Sequence, residues 1–91
     1  IKKIITENNY TIVDVRTKEE FDSGHLVDAI NIPEEELKKN LNKLDKNKYI
    51  FVYCRSGRRS HNAMIKFNKN EFKNVVDLGE YEKITVFKKN N

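Results

Sequence analysis

One cysteine stands inside a cationic run, Cys54-Arg55-Ser56-Gly57-Arg58-Arg59-Ser60. The chain has four arginines, and three of them fall in this run. A thiol reacts as its thiolate, and nearby cations together with the N–H groups at a helix start favour that form. Gly57 lets the loop make a tight turn with positive φ, and Ser60 is read as the cap of the helix that follows. The expected site is therefore a thiolate in a positively polarised cradle, with a small anion as its partner. The competing reading is a buried core thiol at a strand end. Three arginines beside an apolar pocket would be costly, so the reactive reading is preferred.

A cradle of this kind needs a strand that delivers the thiol and a helix that points its N-terminus at it. Tyr49-Ile50-Phe51-Val52-Tyr53 is a near-continuous apolar run, as expected of a central parallel strand covered on both faces. Ser60 to Lys69 reads as a helix with Ala63, Met64 and Phe67 inward and Phe72 packed beneath it. In open α/β sheets the carboxyl ends of strands are where ligands bind, and Cys54 sits at such an end.

The other elements fall on either side. Ile1, Ile4 and Ile5 are at helical spacing before Asn8-Asn9. Thr11 to Val15 reads as a buried strand. Thr17 and Glu20 fit a capping box for a short helix with Phe21 inward, ended by Gly24. Ala29 to Ile32 is a second short strand. Pro33 and Glu34-Glu35-Glu36 open a helix whose Leu37, Leu41 and Leu44 form one apolar face. Val75 to Leu78 is the last clear strand, followed by Gly79. Tyr81, Ile84 and Phe87 leave the tail ambiguous between helix and irregular chain. Strand and helix alternate, which predicts an α/β domain with a mostly parallel central sheet flanked by helices in three layers.

Composition narrows the class. Ninety-one residues are expected to form a single domain, 1–91. The mixture of 37% hydrophobic and 35% charged residues is polar but able to fold. Net charge is +4, and the lysines are scattered among asparagines and glutamates rather than interleaved with aromatics. No nucleic-acid partner is expected. No apolar run approaches the ~20 residues of a membrane span, so no membrane partner is expected either. One cysteine excludes an internal disulfide and a multi-cysteine metal site, and His25 and His61 are too few to complete a zinc set. No metal or other cofactor is expected. The first residue is Ile1 rather than Met, so the sequence says nothing about a leader.

Several pieces together resemble the rhodanese superfamily. They are Asp14-Val15-Arg16, Glu19-Glu20-Phe21, Gly24-His25-Leu26, Ala29-Ile30-Asn31-Ile32-Pro33, Val52 to Ser60, Asn74-Val75-Val76 and Leu78-Gly79. The match is collinear over residues 11–79 and looks most like the small single-domain type. The resemblance implies a rhodanese-like three-layer fold and a thiosulfate sulfurtransferase. Cys54 would take the outer sulfur of thiosulfate as a persulfide and pass it to cyanide or a thiol. The loop Arg55, Ser56, Gly57, Arg58, Arg59 and Ser60 would bind the anion, with Arg59 expected to touch it directly. Asp14 and Arg16 lie near the same rim as supporting residues. The blander reading, preferred here, pairs Arg16 with Glu19 or Glu20 and uses Asp14 to tie down a loop. His25 is read as structural and His61 as exposed.

Two departures stand out. Asp28 replaces a glycine that the family usually carries, at a position where Asp tolerates a left-handed backbone. The tail lacks the usual second glycine and tryptophan after Gly79. A monomer is expected, and the resemblance implies export to the periplasm if the chain follows the small single-domain type and a cytoplasmic place otherwise. Three rivals share the cysteine or the fold. A persulfide carrier serving a protein partner would use the same thiol. A phosphatase or arsenate reductase would need five residues between cysteine and arginine, whereas Arg59 is the fifth residue after Cys54 and Ser60 the sixth. Non-catalytic regulatory relatives commonly lack the cysteine.

Overall fold

The computed structural model describes residues 2–7 and 9–90. After helix α1 (Lys2–Glu7) comes strand β1 (Tyr10–Asp14), then α2 (Lys18–Asp22), β2 (His25–Leu26) and β3 (Ile30–Asn31). A segmented helical stretch with α3 (Leu37–Asn40) at its middle leads to β4 (Tyr49–Cys54). Then follow α4 (Arg58–Lys69), β5 (Val75–Glu80) and, at the end, β6 (Lys89–Asn90). The expected first helix is present, although Ile1 and Asn8 lie outside the described residues.

Four strands form one all-parallel sheet in the order β3-β1-β4-β5. The chain runs from β1 outward to β3 and then crosses back to β4 on the other side of β1. The carboxyl ends of β1 and β4 thus flank the point where the winding direction reverses, which is where such sheets bind ligands. The end of β1 is stitched to β4 by the Val15 N–H donating to the Tyr53 carbonyl at 3.1 Å.

The period of two in β4 builds both core layers. Ile50, Val52 and Cys54 join Val13, Val15, Ala63 and Phe67 on the side covered by α3 and α4. Phe51 and Tyr53 join Ile12, Leu26, Tyr81 and Ile84 on the other side, where Ile4 of α1 and Phe87 of the tail also pack. Residues 50–54 are fully buried, as the unbroken apolar run requires. Phe72 is buried and meets Phe67 edge-on at 5.2 Å.

Some expectations need correction. The helix after Pro33 is not one α-helix. It runs as a 3-10 turn (Glu34–Glu36), α3, and a second 3-10 turn (Leu41–Lys43). Asn40 interrupts it at φ −114°, and its side-chain amide donates back to the Glu36 carbonyl, a local bond that competes with regular helix. Leu37 is still buried, with Leu41 and Leu44 against the same core. Of the two readings left open for the tail, the described residues to 90 show the irregular one apart from the 3-10 turn Tyr81–Lys83 and β6, which pairs antiparallel with β2. Neither two-residue strand has enough sequence to show a period. Asp28 has φ 68°, the left-handed conformation expected where the family carries glycine.

Candidate active site

Cys54 ends β4 and is completely buried. The chain turns at once, because Gly57 adopts φ 99° and α4 starts at Arg58. A Cβ on Gly57 would meet nothing within 4 Å, so the glycine serves backbone conformation rather than space. The turn brings the Gly57 N–H to 2.9 Å from the Cys54 sulfur. Ser60 lies one turn into the helix and is also buried. Its hydroxyl donates to the Gly57 carbonyl at 3.2 Å and accepts from the Cys54 thiol at 3.5 Å.

Ser60 is therefore not the helix cap. Gly57 holds that position without a side-chain bond, and Ser60 braces the turn from inside. The expected helix start was two residues late, because Arg58 and Arg59 look like loop residues from charge alone.

The three loop arginines separate into two kinds. Arg55 and Arg58 are exposed and have no ion-pair partner among the described residues. Arg59 is committed: its guanidinium donates to both carboxylate oxygens of Glu20, at 2.7 and 3.1 Å. The structure thus places Arg59 against Glu20, where the sequence led to the expectation of a direct contact with the anion. Glu20 also accepts the Thr17 N–H at 3.0 Å, and Thr17 in turn caps α2, so the expected capping box is present. The Arg59 bond pulls the Glu20 carboxyl down to about 2, with the Thr17 N–H acting in the same direction and burial opposing.

Asp14 ends β1, and Arg16 follows two residues later. Arg16 does not pair with Glu19 or Glu20. Its guanidinium binds both oxygens of Asp14 at 2.7–3.0 Å and donates to the Gly24 carbonyl at 2.6 Å. Asp14 does tie down the chain, accepting the Arg16 N–H at 2.9 Å. The pair is buried, at 0% and 5% exposure, and Asn31 bonds the carbonyls of both residues. The Arg16 guanidinium also lies 4.4 Å from the Tyr81 ring centre. Tyr53 stacks on Tyr81, accepts the Leu26 N–H, and has its phenol pushed up by burial. His25 stacks on Phe21 at 3.8 Å with Nδ1 2.8 Å from the Phe21 carbonyl, a structural role as expected, and His61 is exposed.

Beside the loop lies an open cleft of about 550 Å³. Its walls come from Arg55, from Glu20 and the turn after α2, and from Tyr81, Glu82 and Lys89. Cys54 itself is not in its wall. The sequence pointed to Arg55 and to Arg16, which also lines the cleft, but not to Glu20, which reads as a cap only, nor to Tyr81 and Lys89. Those two come from the tail, which has no clear period. Among the described residues no group of His, Cys, Asp and Glu is arranged to hold a metal.

The parallel sheet with its reversal point, and a thiol seated in a short loop running into a helix, define an α/β domain of rhodanese type. The chain belongs to the rhodanese-like domain family, whose profile it matches over residues 1–85. It is 33% identical over 76 residues to Thiosulfate sulfurtransferase PspE of Escherichia coli (strain K12), covering 81% of this chain and 73% of that protein. It is 35% identical over 77 residues to "Putative sulfur carrier protein YrkF" of Bacillus subtilis (strain 168), over 85% of this chain. The chain spans only 42% of that relative's length. A solved structure described as "rhodanese with anions from E. coli" superposes with a TM-score of 0.83 at 31% identity, over 89% of this chain and 96% of that one.

Proposed function

We propose that this protein is a thiosulfate sulfurtransferase that works through a persulfide on Cys54. The observation that carries the reading is the Gly57 N–H aimed at the buried Cys54 sulfur from 2.9 Å, at the start of α4. A donor so placed favours negative charge on sulfur, first on the thiolate and then on the persulfide. The likeness to PspE, named a thiosulfate sulfurtransferase, supports thiosulfate as donor.

The chemistry has two halves. The Cys54 thiolate attacks the outer sulfur of thiosulfate; the new S–S bond forms as the old one breaks, and sulfite leaves with the electron pair. The persulfide carries one negative charge, so charge balances. Cyanide or a thiolate then attacks the outer sulfur and regenerates the Cys54 thiolate. Exposed Arg55 and Arg58 attract the dianion, while Arg59 anchors the loop through Glu20.

The short loop weighs against phosphoryl chemistry. The Gly57 N–H closes on sulfur itself, leaving little room for a tetrahedral phosphate. Delivery to a protein partner is a second reading, favoured by the identity to YrkF, and it uses the same persulfide. Steady-state assay with thiosulfate and cyanide tests the first reading. Parallel double-reciprocal lines with thiocyanate formation are expected. Hydrolysis of an aryl phosphate without thiocyanate formation would reject it.

A further inference from the structure

The cleft beside the loop is larger than the reaction so far described needs. At about 550 Å³ it falls in the range of sites for organic ligands and far exceeds thiosulfate or cyanide. Its charges do not cancel. Arg16 is matched by Asp14 and Glu20 by Arg59, which takes both out of the balance. What remains on the walls is Arg55 and Lys89 against Glu82, an excess of positive charge.

Lys89 is the unexpected member. It lies beyond residue 85, where the family match ends. It reaches the cleft because β6 folds back on β2, pairing Lys89 with Leu26, and because the Lys88 carbonyl accepts the Val27 N–H at 2.8 Å. Its ammonium lies 5.0 Å from the Tyr81 ring centre and donates to the Glu82 carbonyl at 3.2 Å. Among the described residues no carboxylate pairs with it. Strand pairing, an aromatic ring and a carbonyl thus hold a second cation on the wall of the cleft that Arg55 also lines.

We infer that this cleft is the acceptor subsite and that Lys89, with Arg55, selects low-molecular-weight thiols that carry a carboxylate. The inference rests on the sulfurtransferase reading above. The carboxylate lies between the two cations, and the thiol arm reaches past Arg55 to the persulfide, whose outer sulfur extends ~2 Å beyond that of Cys54. The acceptor thiol attacks that outer sulfur, the Cys54 S–S bond breaks, and the Cys54 thiolate leaves. The acceptor departs as its own persulfide, with no oxidant or reductant required.

The acceptor half-reaction can be followed alone. Protein loaded with thiosulfate and freed of excess is mixed with mercaptosuccinate or with neutral 2-mercaptoethanol. Loss of the added sulfur, about 32 Da, is timed by intact mass. The quantity read is the ratio of the two rates, compared between proteins so that thiol basicity cancels. Lys89→Glu is expected to lower the mercaptosuccinate-to-mercaptoethanol ratio about fivefold or more, the scale of an exposed charge contact. Lys89→Arg should keep it. An unchanged ratio in Lys89→Glu, including one in which both thiols slow in proportion, overturns the inference. If wild-type protein never gains the sulfur, the sulfurtransferase reading itself has failed, and the two failures are distinguishable.

Discussion

Arg59 and Glu20 are bound side to side through two hydrogen bonds of 2.7 and 3.1 Å, joining the first turn of α4 to α2. Thirty-nine residues separate them in sequence. The pair fixes the first turn of α4, and with it the Gly57 N–H that faces the Cys54 sulfur. The bidentate geometry gives direction as well as attraction, which a lysine at 59 would not reproduce.

A pH dependence follows from this pair. Folding lowers the Glu20 carboxyl from its ordinary 4.5 to about 2. A group lowered on folding stabilises the native state above its unfolded value and loses that contribution as pH falls through its folded value. Glu20→Gln should therefore cost about 1 kcal/mol near neutral pH, after allowance for partial exposure. The deficit relative to wild type should shrink as pH falls from 4.5 toward 2. Urea unfolding of both proteins at pH 7 and pH 3 checks this, and a deficit that grows in acid would contradict it.

Arg59→Ala should behave like Glu20→Gln in both stability and sulfur transfer, and the double variant should be little worse than either single one. Additive losses would instead mean that Arg59 has a separate task, such as touching the substrate. Steady-state kinetics on the three variants decides between these outcomes.

The buried Asp14–Arg16 pair should be the more costly one to break. Asp14→Asn leaves Arg16 charged at 5% exposure with one anionic partner gone. A loss of about 3 kcal/mol is expected, readable as a lower denaturation midpoint. A loss below ~0.5 kcal/mol would place the pair among surface ion pairs.

Gly57→Ala should fold, since nothing lies within 4 Å of the added carbon, but at a cost of about 1–2 kcal/mol for the left-handed backbone. Gly79→Ala is the control: it has φ 76° and equally open space, but it lies on β5. Both should lose similar stability, while only the Gly57 variant should lose most of its turnover. Equal turnover in the two would detach the loop turn from catalysis.

The sheet was largely legible because its signals are local. The buried run before Cys54 and the Thr17–Glu20 capping box both carry their own patterns. The cysteine, the cationic loop and the likeness to rhodaneses were legible for the same reason. What stayed hidden depends on distant partners. Glu20 has two uses, and only the cap can be read from its neighbours. Arg16 binds Asp14, two residues away, rather than Glu19, which is exposed, or Glu20, which Arg59 holds from a distant part of the chain. The β2–β6 pair is two residues long on each side, too short for any period, yet it brings Lys89 to the cleft.

Intact mass after thiosulfate treatment tests the central claim most directly. Wild-type protein should gain about 32 Da, one sulfur atom, and lose it on addition of cyanide. Cys54→Ser should gain nothing. No gain in the wild type, or the same gain in Cys54→Ser, would contradict a persulfide on Cys54.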